Sequence, residues 1–352
     1  MTSSWPNVLR TVHLIGGLRA LNATSEVVEI MPTPKEVSSI LHLSKYGALY
    51  QHIQGAGGKV IGVDFITDQA QIEGLEPVDW QPFDLIEGFL IKEVRHFWAG
   101  LATAAHFRED FTLVDICRRI VFQLEAISWR LRCLSDAYYR ELRGCIASGN
   151  FDNGQKIVTG NSFHIFLETH TFLSECSTLR DYLAEFIWKY ICSHNTPSKH
   201  IRLMSALVKE LKKSTISSDL ENYLLVITSD GGWLKRMSAY RDLAVHYTPL
   251  ATAEKYGLVT LQSLEFANDQ TLPVIQWNLP RDPEAIKIER SGVQISRSLD
   301  EWIQDSVIAK PLDELGPDAL AYSHQILQKL AGLAGKVGAL APVRPQTMHF
   351  KG

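Results

Sequence analysis

The fold class is decided by residues 110–145, which read DFTLVDICRRIVFQLEAISWRLRCLSDAYYRELRGC. The apolar side chains of this stretch recur at steps of three or four positions, at Leu113, Ile116, Ile120, Leu124, Ile127, Leu131, Leu134, Tyr138, Leu142 and Cys145. This spacing places them on one face of a helix, and Asp110 is a favourable N-cap residue at its start. The stretch therefore predicts one long amphipathic helix.

More helices are predicted on the C-terminal side of this stretch. A second long helix is expected over residues 162–194, after a loop rich in Gly, Asn and Asp. Shorter helical patterns continue to residue 250, and a closing helix is predicted over residues 316–341. Because the connecting loops are of modest length, the pattern favours an antiparallel bundle over residues 109–250 that the closing helix completes.

The N-terminal region, residues 1–108, is predicted to be mixed α/β. Residues 26–30 and 59–66 have the composition of β-strands. Between them, residues 35–50 predict a short helix after two prolines.

The segment before the closing helix, residues 251–315, is predicted to be an extended, β-like insertion. Its strand-like runs are residues 259–261, 272–277 and 286–289. Residues 342–352 are expected to form a tail. The predicted fold class is therefore mainly α, with a small mixed α/β region at the N-terminus and short extended segments before the last helix.

The composition is that of an ordinary globular protein, with 352 residues, of which 45% are hydrophobic and 21% charged. The formal net charge of −4 gives no general attraction to nucleic acid, so any RNA contact requires a local basic patch. The five cysteines form no C-x-x-C pair, and we expect no signal peptide and no membrane span. These features predict reduced thiols in a cytoplasmic protein.

The most informative chemical feature is RDLAVHY, residues 241–247, near the end of a predicted helix. Asp242 and His246 are four positions apart, so they share a helical face, which Arg241 borders. Arginine binds phosphate, histidine transfers protons near neutral pH, and a carboxylate can hold an imidazole in one tautomer. Arg241, Asp242 and His246 are therefore the candidate catalytic residues for cleavage of a phosphodiester.

The helix that carries this motif has two predicted faces. Its apolar face is formed by Trp233, Met237, Tyr240, Ala244 and Tyr247. Its polar face is formed by Lys235, Ser238, Asp242 and His246. His246 therefore lies off the apolar face, and we assign the neighbouring Lys235, Ser238 and Tyr247 to substrate binding.

The Arg–polar–x–x–x–His pattern of residues 241–246, with the order of the helices around it, resembles the HEPN superfamily. The likeness covers residues 110–250 and the last helix, and Asp242 stands where the family most often has asparagine. The resemblance implies a metal-independent endoribonuclease that acts on RNA as a homodimer, with arginine and histidine of two protomers meeting in a shared cleft. Arg241 would bind the scissile phosphate, His246 would transfer the proton and Asp242 would orient it. A toxin or defence role, with an antitoxin protein as partner, is part of the same expectation.

Other interpretations of these residues remain open. Arg241, Asp242 and His246 also suit a surface ion cluster at a helix C-terminus, where cations are favoured. The alternative function is a non-catalytic HEPN-like module that binds RNA, a nucleotide or a protein, and a purely structural interaction protein is a third. The arginines within residues 118–143 form either a solvated face or part of an RNA groove.

No metal site and no cofactor are predicted. His164, Glu168 and His170 lack the spacing of an H-E-x-x-H metal motif. Residues 55–60, GAGGKV, lack the Ser or Thr that follows lysine in a phosphate-binding loop. They predict a tight turn before a strand.

Overall fold

The computed structural model describes residues 8–22, 26–34, 40–43, 45–67, 78–149, 152–192, 199–213, 218–253, 258–266, 270–292 and 316–346. The helices are α1 (Leu49–Gly55), α2 (Leu90–Phe107), α3 (Phe111–Ala147), α4 (Gly160–Phe186), α5 (Met204–Leu211), α6 (Asp219–Ile227), α7 (Trp233–Asp242), α8 (Leu250–Ala253), α9 (Pro283–Gly292) and α10 (Ala319–Ala339). The strands are β1 (Val8–Leu14), β2 (Arg19–Asn22), β3 (Val27–Met31), β4 (Ile40–His42), β5 (Val60–Thr67), β6 (Val78–Pro82), β7 (Lys156–Ile157), β8 (Val259–Phe266) and β9 (Gln270–Gln276). Two π-helical turns, Ile187–Ile191 and Leu243–Tyr247, continue α4 and α7.

The helical part of the protein is built around α3, as residues 110–145 predict. The side chain of Asp110 accepts a hydrogen bond from the backbone N–H of Leu113 at 3.0 Å, which confirms the predicted N-cap. All ten predicted apolar positions of α3 are buried. α3 packs against α2 and α4, and α10 contacts all three helices. The mainly α fold class is therefore confirmed.

An antiparallel sheet of six strands, in the order β4-β3-β2-β1-β5-β6, precedes the bundle. The strands predicted at residues 26–30 and 59–66 are confirmed as β3 and β5. The helix predicted at residues 35–50 is wrong, because residues 40–42 form β4 and α1 begins only at Leu49. In β4, Leu41 is buried while both its neighbours are exposed, which is the alternation of a strand. Residues 35–39 lie outside the described part of the chain.

The predicted insertion contributes a second sheet, in the order β7-β8-β9. The extended segments at residues 259–261 and 272–277 are confirmed in β8 and β9. The extended segment expected at residues 286–289 is wrong, because it lies inside α9. Asp282 caps this helix by accepting from the N–H of Ala285 at 2.9 Å, and Pro283 suits the first helical position.

The N-terminal sheet is docked directly on α3. The indole of Trp80 on β6 donates to the backbone oxygen of Ser128 at 2.8 Å. Gly17 has a φ of +87°, and a Cβ there would lie 2.8 Å from the backbone oxygen of Tyr138. Only glycine therefore fits this close approach. Buried residues of the sheets and the helices form one continuous hydrophobic core.

Candidate functional site

The candidate site lies at the end of α7. Buried Met237 and Tyr240 hold this helix against the core, which confirms part of the predicted apolar face. The helix then widens into the π-helical turn Leu243–Tyr247, in which the N–H of Thr248 donates to the backbone oxygen of Leu243. Tyr247, predicted on the apolar face, is 43% exposed. The wider turn changes which side chains are neighbours, because residues five positions apart, instead of four, lie next to one another along the helix.

Arg241 and His246 are in direct contact. The Nη1 of Arg241 lies 3.2 Å from the Nε2 of His246. Because a guanidinium can only donate, the Nε2 of His246 accepts this hydrogen bond, which places the proton of the neutral ring on Nδ1. His246 is exposed and the side chain of Arg241 is 32% exposed. An arginine and a histidine are thus paired at a surface that a substrate can reach.

Asp242 contacts Arg241 instead of His246. Its Oδ1 accepts from the Nη1 of Arg241 at 3.2 Å, and its Oδ2 lies 3.5 Å from the Nζ of Lys287. Among the described residues, Asp242 therefore acts on His246 only through Arg241. Lys287, on α9, is a member of this cluster that sequence reasoning missed. The Lys287 Nζ also lies 5.9 Å from the ring centre of Tyr247, so Tyr247 borders the cluster.

The other two predicted substrate-binding residues face elsewhere. Ser238 accepts from the Nη1 of Arg180 on α4 at 2.6 Å and donates to the backbone oxygen of Leu234. Lys235 pairs with Asp230 at the start of α7. Neither side chain contacts the Arg241–His246 pair.

A polar cleft of about 660 Å³ lies between α7 and α9, on the N-terminal side of the pair. Its lining carries three basic side chains, Lys235, Arg236 and Arg281, and three acidic ones, Asp230, Asp282 and Glu284. Lys287 is one turn beyond Glu284 on α9 and pairs with it at 3.6 Å. α7 therefore both lines the cleft and carries Arg241, and α9 contributes Glu284 to the cleft and Lys287 to the cluster beside the pair.

The alternative sites lack such a cluster. The Nε2 of His170 accepts from the backbone N–H of Leu250, and Glu168 pairs with Arg130. No group of three or more His, Cys, Asp and Glu residues suited to a metal ion is found in the part of the chain that the structure describes. On α3, Arg119 pairs with Glu185, and Arg132 with Asp64. These two arginines are therefore already paired with acids of the same chain.

A second polar cluster, which sequence reasoning missed, is buried between the N-terminal sheet and α3. The Nε2 of His13 lies 3.1 Å from Asp64, and its Nδ1 lies 3.0 Å from the hydroxyl of Ser135. Asp64 also accepts two hydrogen bonds from Arg132, at 2.7 and 2.8 Å. A serine, a histidine and an aspartate are aligned here as in a hydrolase, but Ser135 is only 1% exposed. The cluster therefore joins the sheet to α3 and is closed to substrates.

The burial of two histidines, His13 and His324, predicts that the stability of the protein depends on pH. Burial, together with the charge of Arg19, lowers the pKa of His13 to about 4, and burial lowers that of His324 to about 4. Between pH 6.5 and 4 the unfolded chain binds protons that the folded chain does not. The unfolding free energy therefore decreases as the pH is lowered through this range. We expect the unfolding free energy to drop by about 2 kcal/mol per buried histidine between pH 7 and pH 5. Urea unfolding at both pH values measures this drop. His324→Gln should remove about half of it. An unfolding free energy that is the same at pH 7 and pH 5 contradicts the prediction.

Comparisons with protein-family models, curated proteins and solved structures find no match to this chain. A membrane-crossing helix is not found in the described ranges either, since no helix there is both long and apolar enough.

Proposed function

We propose that the protein is a metal-independent endoribonuclease of the HEPN type. The observation that carries this proposal is the 3.2 Å contact between Arg241 and His246 at an exposed helix end. The Nη2 of Arg241 has no partner among the described residues, so this face of the guanidinium is available to a phosphate. Lys287 adds a second cation beside it.

The proposed reaction needs only a proton acceptor and an anion binder. When a bound phosphate draws the guanidinium of Arg241 away from the Nε2 of His246, this nitrogen is free to remove the proton of a ribose 2′-hydroxyl, whose oxygen attacks the neighbouring phosphorus. The bond from phosphorus to the 5′-oxygen breaks, that oxygen takes up a proton from water, and His246 returns its proton to the solvent. Arg241 stabilises the negative charge on the phosphoryl oxygens, and Asp242, which also pairs with Lys287, holds the guanidinium in place. The products are a 2′,3′-cyclic phosphate and a free 5′-hydroxyl.

We further propose that two copies of the chain act together as a homodimer. The resemblance to HEPN proteins supports this assembly, because it implies a cleft shared by two protomers. The polar cleft between α7 and α9 would then guide a single RNA strand towards the Arg241–His246 pair, since its basic residues Lys235 and Arg236 lie on α7, the helix that carries Arg241. A cytoplasmic toxin or defence role, controlled by an antitoxin protein, belongs to the same proposal.

The alternative is a non-catalytic module that binds RNA, a nucleotide or a protein. One observation favours it: the charged groups of the cluster already pair with one another, as Arg241 does with Asp242 and Asp242 with Lys287. A surface cluster of this kind can exist without chemistry.

The activity itself is the test. We expect the purified protein to cut single-stranded or loop RNA in the presence of EDTA and to leave 2′,3′-cyclic phosphate ends. The same sequence with 2′-deoxyribose should bind but remain uncut, because it lacks the attacking hydroxyl. Gel electrophoresis and mass spectrometry of the fragments measure both. Cleavage that requires Mg²⁺ contradicts the mechanism, and binding without cleavage supports the non-catalytic alternative.

A further inference from the structure

A second cleft lies between α2 and α3, on neither of the helices that carry the Arg241–His246 pair. Its volume is about 530 Å³, within the range of ~300–1,000 Å³ of small-molecule sites. An ion pair between Arg95 and Glu125 bridges the two helices at one end. The rest of the lining is formed by Ala99, Ala102, Thr103, His106, Arg118, Val121 and Phe122.

The cleft exists because small side chains face a large one. Ala99 and Ala102 on α2 present only methyl groups, so the facing residues of α3 leave a gap. Phe122 stands beside this gap with 71% of its side chain exposed. Covering an exposed aromatic ring is favourable at ~25 cal/mol per Å² of apolar surface removed from water. The middle of the cleft therefore favours an apolar body.

The end opposite the Arg95–Glu125 pair carries basic side chains without acidic partners. Arg118 makes no hydrogen bond or ion pair with the described residues, since Asp115 on the same helix pairs with Arg119. His106, on α2, likewise has no hydrogen-bond partner in the described ranges, and its only ring contacts are with Phe107 and Phe111. Glu125 is the one acidic residue among the described residues that line this cleft, and it pairs with Arg95. No acid of this described lining is therefore left to balance the charge of Arg118.

We propose that this cleft binds a small amphipathic carboxylic acid. The planar guanidinium of Arg118 matches a carboxylate in charge and in two-pronged geometry. The apolar body of the ligand would lie on Ala99, Ala102 and the ring of Phe122. The site shares no residue with the proposed RNA site, so the two proposals stand or fail independently.

Octanoate is the probe for this site, with octanamide as its uncharged analogue. By titration calorimetry on the full chain, we expect octanoate to bind at least about tenfold more tightly than octanamide, because the amide carries no charge and offers the guanidinium one acceptor oxygen instead of two. Arg118→Gln should remove this preference. Ala99→Phe, at an exposed helix position, should fill the cleft and weaken both compounds at least about tenfold.

The matched control is Arg143→Gln, which removes the same charge from an exposed position of α3 outside the cleft and should bind octanoate as the wild type does. Thermal melts show that each variant is folded. The proposal is overturned if octanoate does not bind saturably, if octanamide binds equally well, or if Arg118→Gln and Ala99→Phe leave both affinities unchanged. A dimer that excludes octanoate and dissociates in Phe122→Ala also overturns it, since the cleft is then a subunit interface.

Discussion

Replacing His246 with alanine is expected to reduce RNA cleavage by about 10²–10⁴-fold, the usual effect of losing a general acid–base group. Arg241→Ala should have an effect of similar size, because the phosphoryl charge then loses its stabilising cation. His246 is exposed, so we expect its variant to melt within a degree or two of the wild type. Initial rates on one fluorescent RNA, with thermal melts of the same samples, measure both effects.

The matched control is His164→Ala, which removes an exposed histidine from α4 without touching the candidate cluster. Its cleavage rate should equal that of the wild type. A His246→Ala variant that cuts RNA at the wild-type rate is incompatible with the proposed chemistry. A His246→Ala variant that unfolds shows instead that this histidine is structural.

Mixing the two inactive variants separates the chemistry from the assembly. If arginine and histidine of different protomers meet in a shared cleft, a dimer of one Arg241→Ala chain and one His246→Ala chain keeps one intact site. Random pairing should then restore about a quarter of the wild-type activity. No recovery in a mixture that light scattering shows to be dimeric means that the pair acts within one protomer, as in the contact seen here. A monomeric protein that cuts RNA leads to the same conclusion.

The sequence predicts best those features that depend on local periodicity. The apolar spacing of α3 identified its buried face and its cap residue, because helical geometry repeats within a few positions. Residues 40–42 were wrongly predicted as helix, because they become a strand only by pairing with β3, which is a non-local contact. Tertiary context overrides local propensity in such segments.

The sequence identified Arg241, Asp242 and His246 as candidates, but it did not predict how their side chains contact one another. The spacing of Asp242 and His246 was interpreted with α-helical geometry, in which residues four apart share a face. The π-helical turn brings Arg241 against His246 instead, and no signal in the sequence indicates a π-helical turn. Lys287 was missed because residues 286–289 resemble a strand, and its approach to Asp242 depends on the packing of α9 against α7.

The buried cluster of His13, Asp64 and Arg132 could not be predicted from spacing, because its members are far apart in sequence and meet only when the sheet docks on α3. Burial raises the pKa of Asp64, but the hydrogen bonds from His13 and Arg132 outweigh it and bring the pKa to about 2. Asp64 is therefore a buried carboxylate that stays ionised, and it compensates the partly buried guanidinium of Arg132. Removing Asp64 breaks both of its hydrogen bonds from Arg132 and leaves this charge with Asp136 alone among the described acids, so it costs more than the pair itself contributes.

We therefore expect Asp64→Ala to lower the unfolding free energy by about 3–5 kcal/mol at pH 7. The matched control is Asp115→Ala, which removes an acid that also pairs with an arginine of α3 but is 65% exposed. An exposed pair of this kind contributes under about 1 kcal/mol, so the control should unfold close to the wild type in urea. If Asp64→Ala does not fold, Asp64→Asn keeps the shape and one acceptor and should show a smaller loss. Equal midpoints for Asp64→Ala and Asp115→Ala would mean that Asp136 and water compensate Arg132 without Asp64, and that the cluster does not hold the sheet on α3.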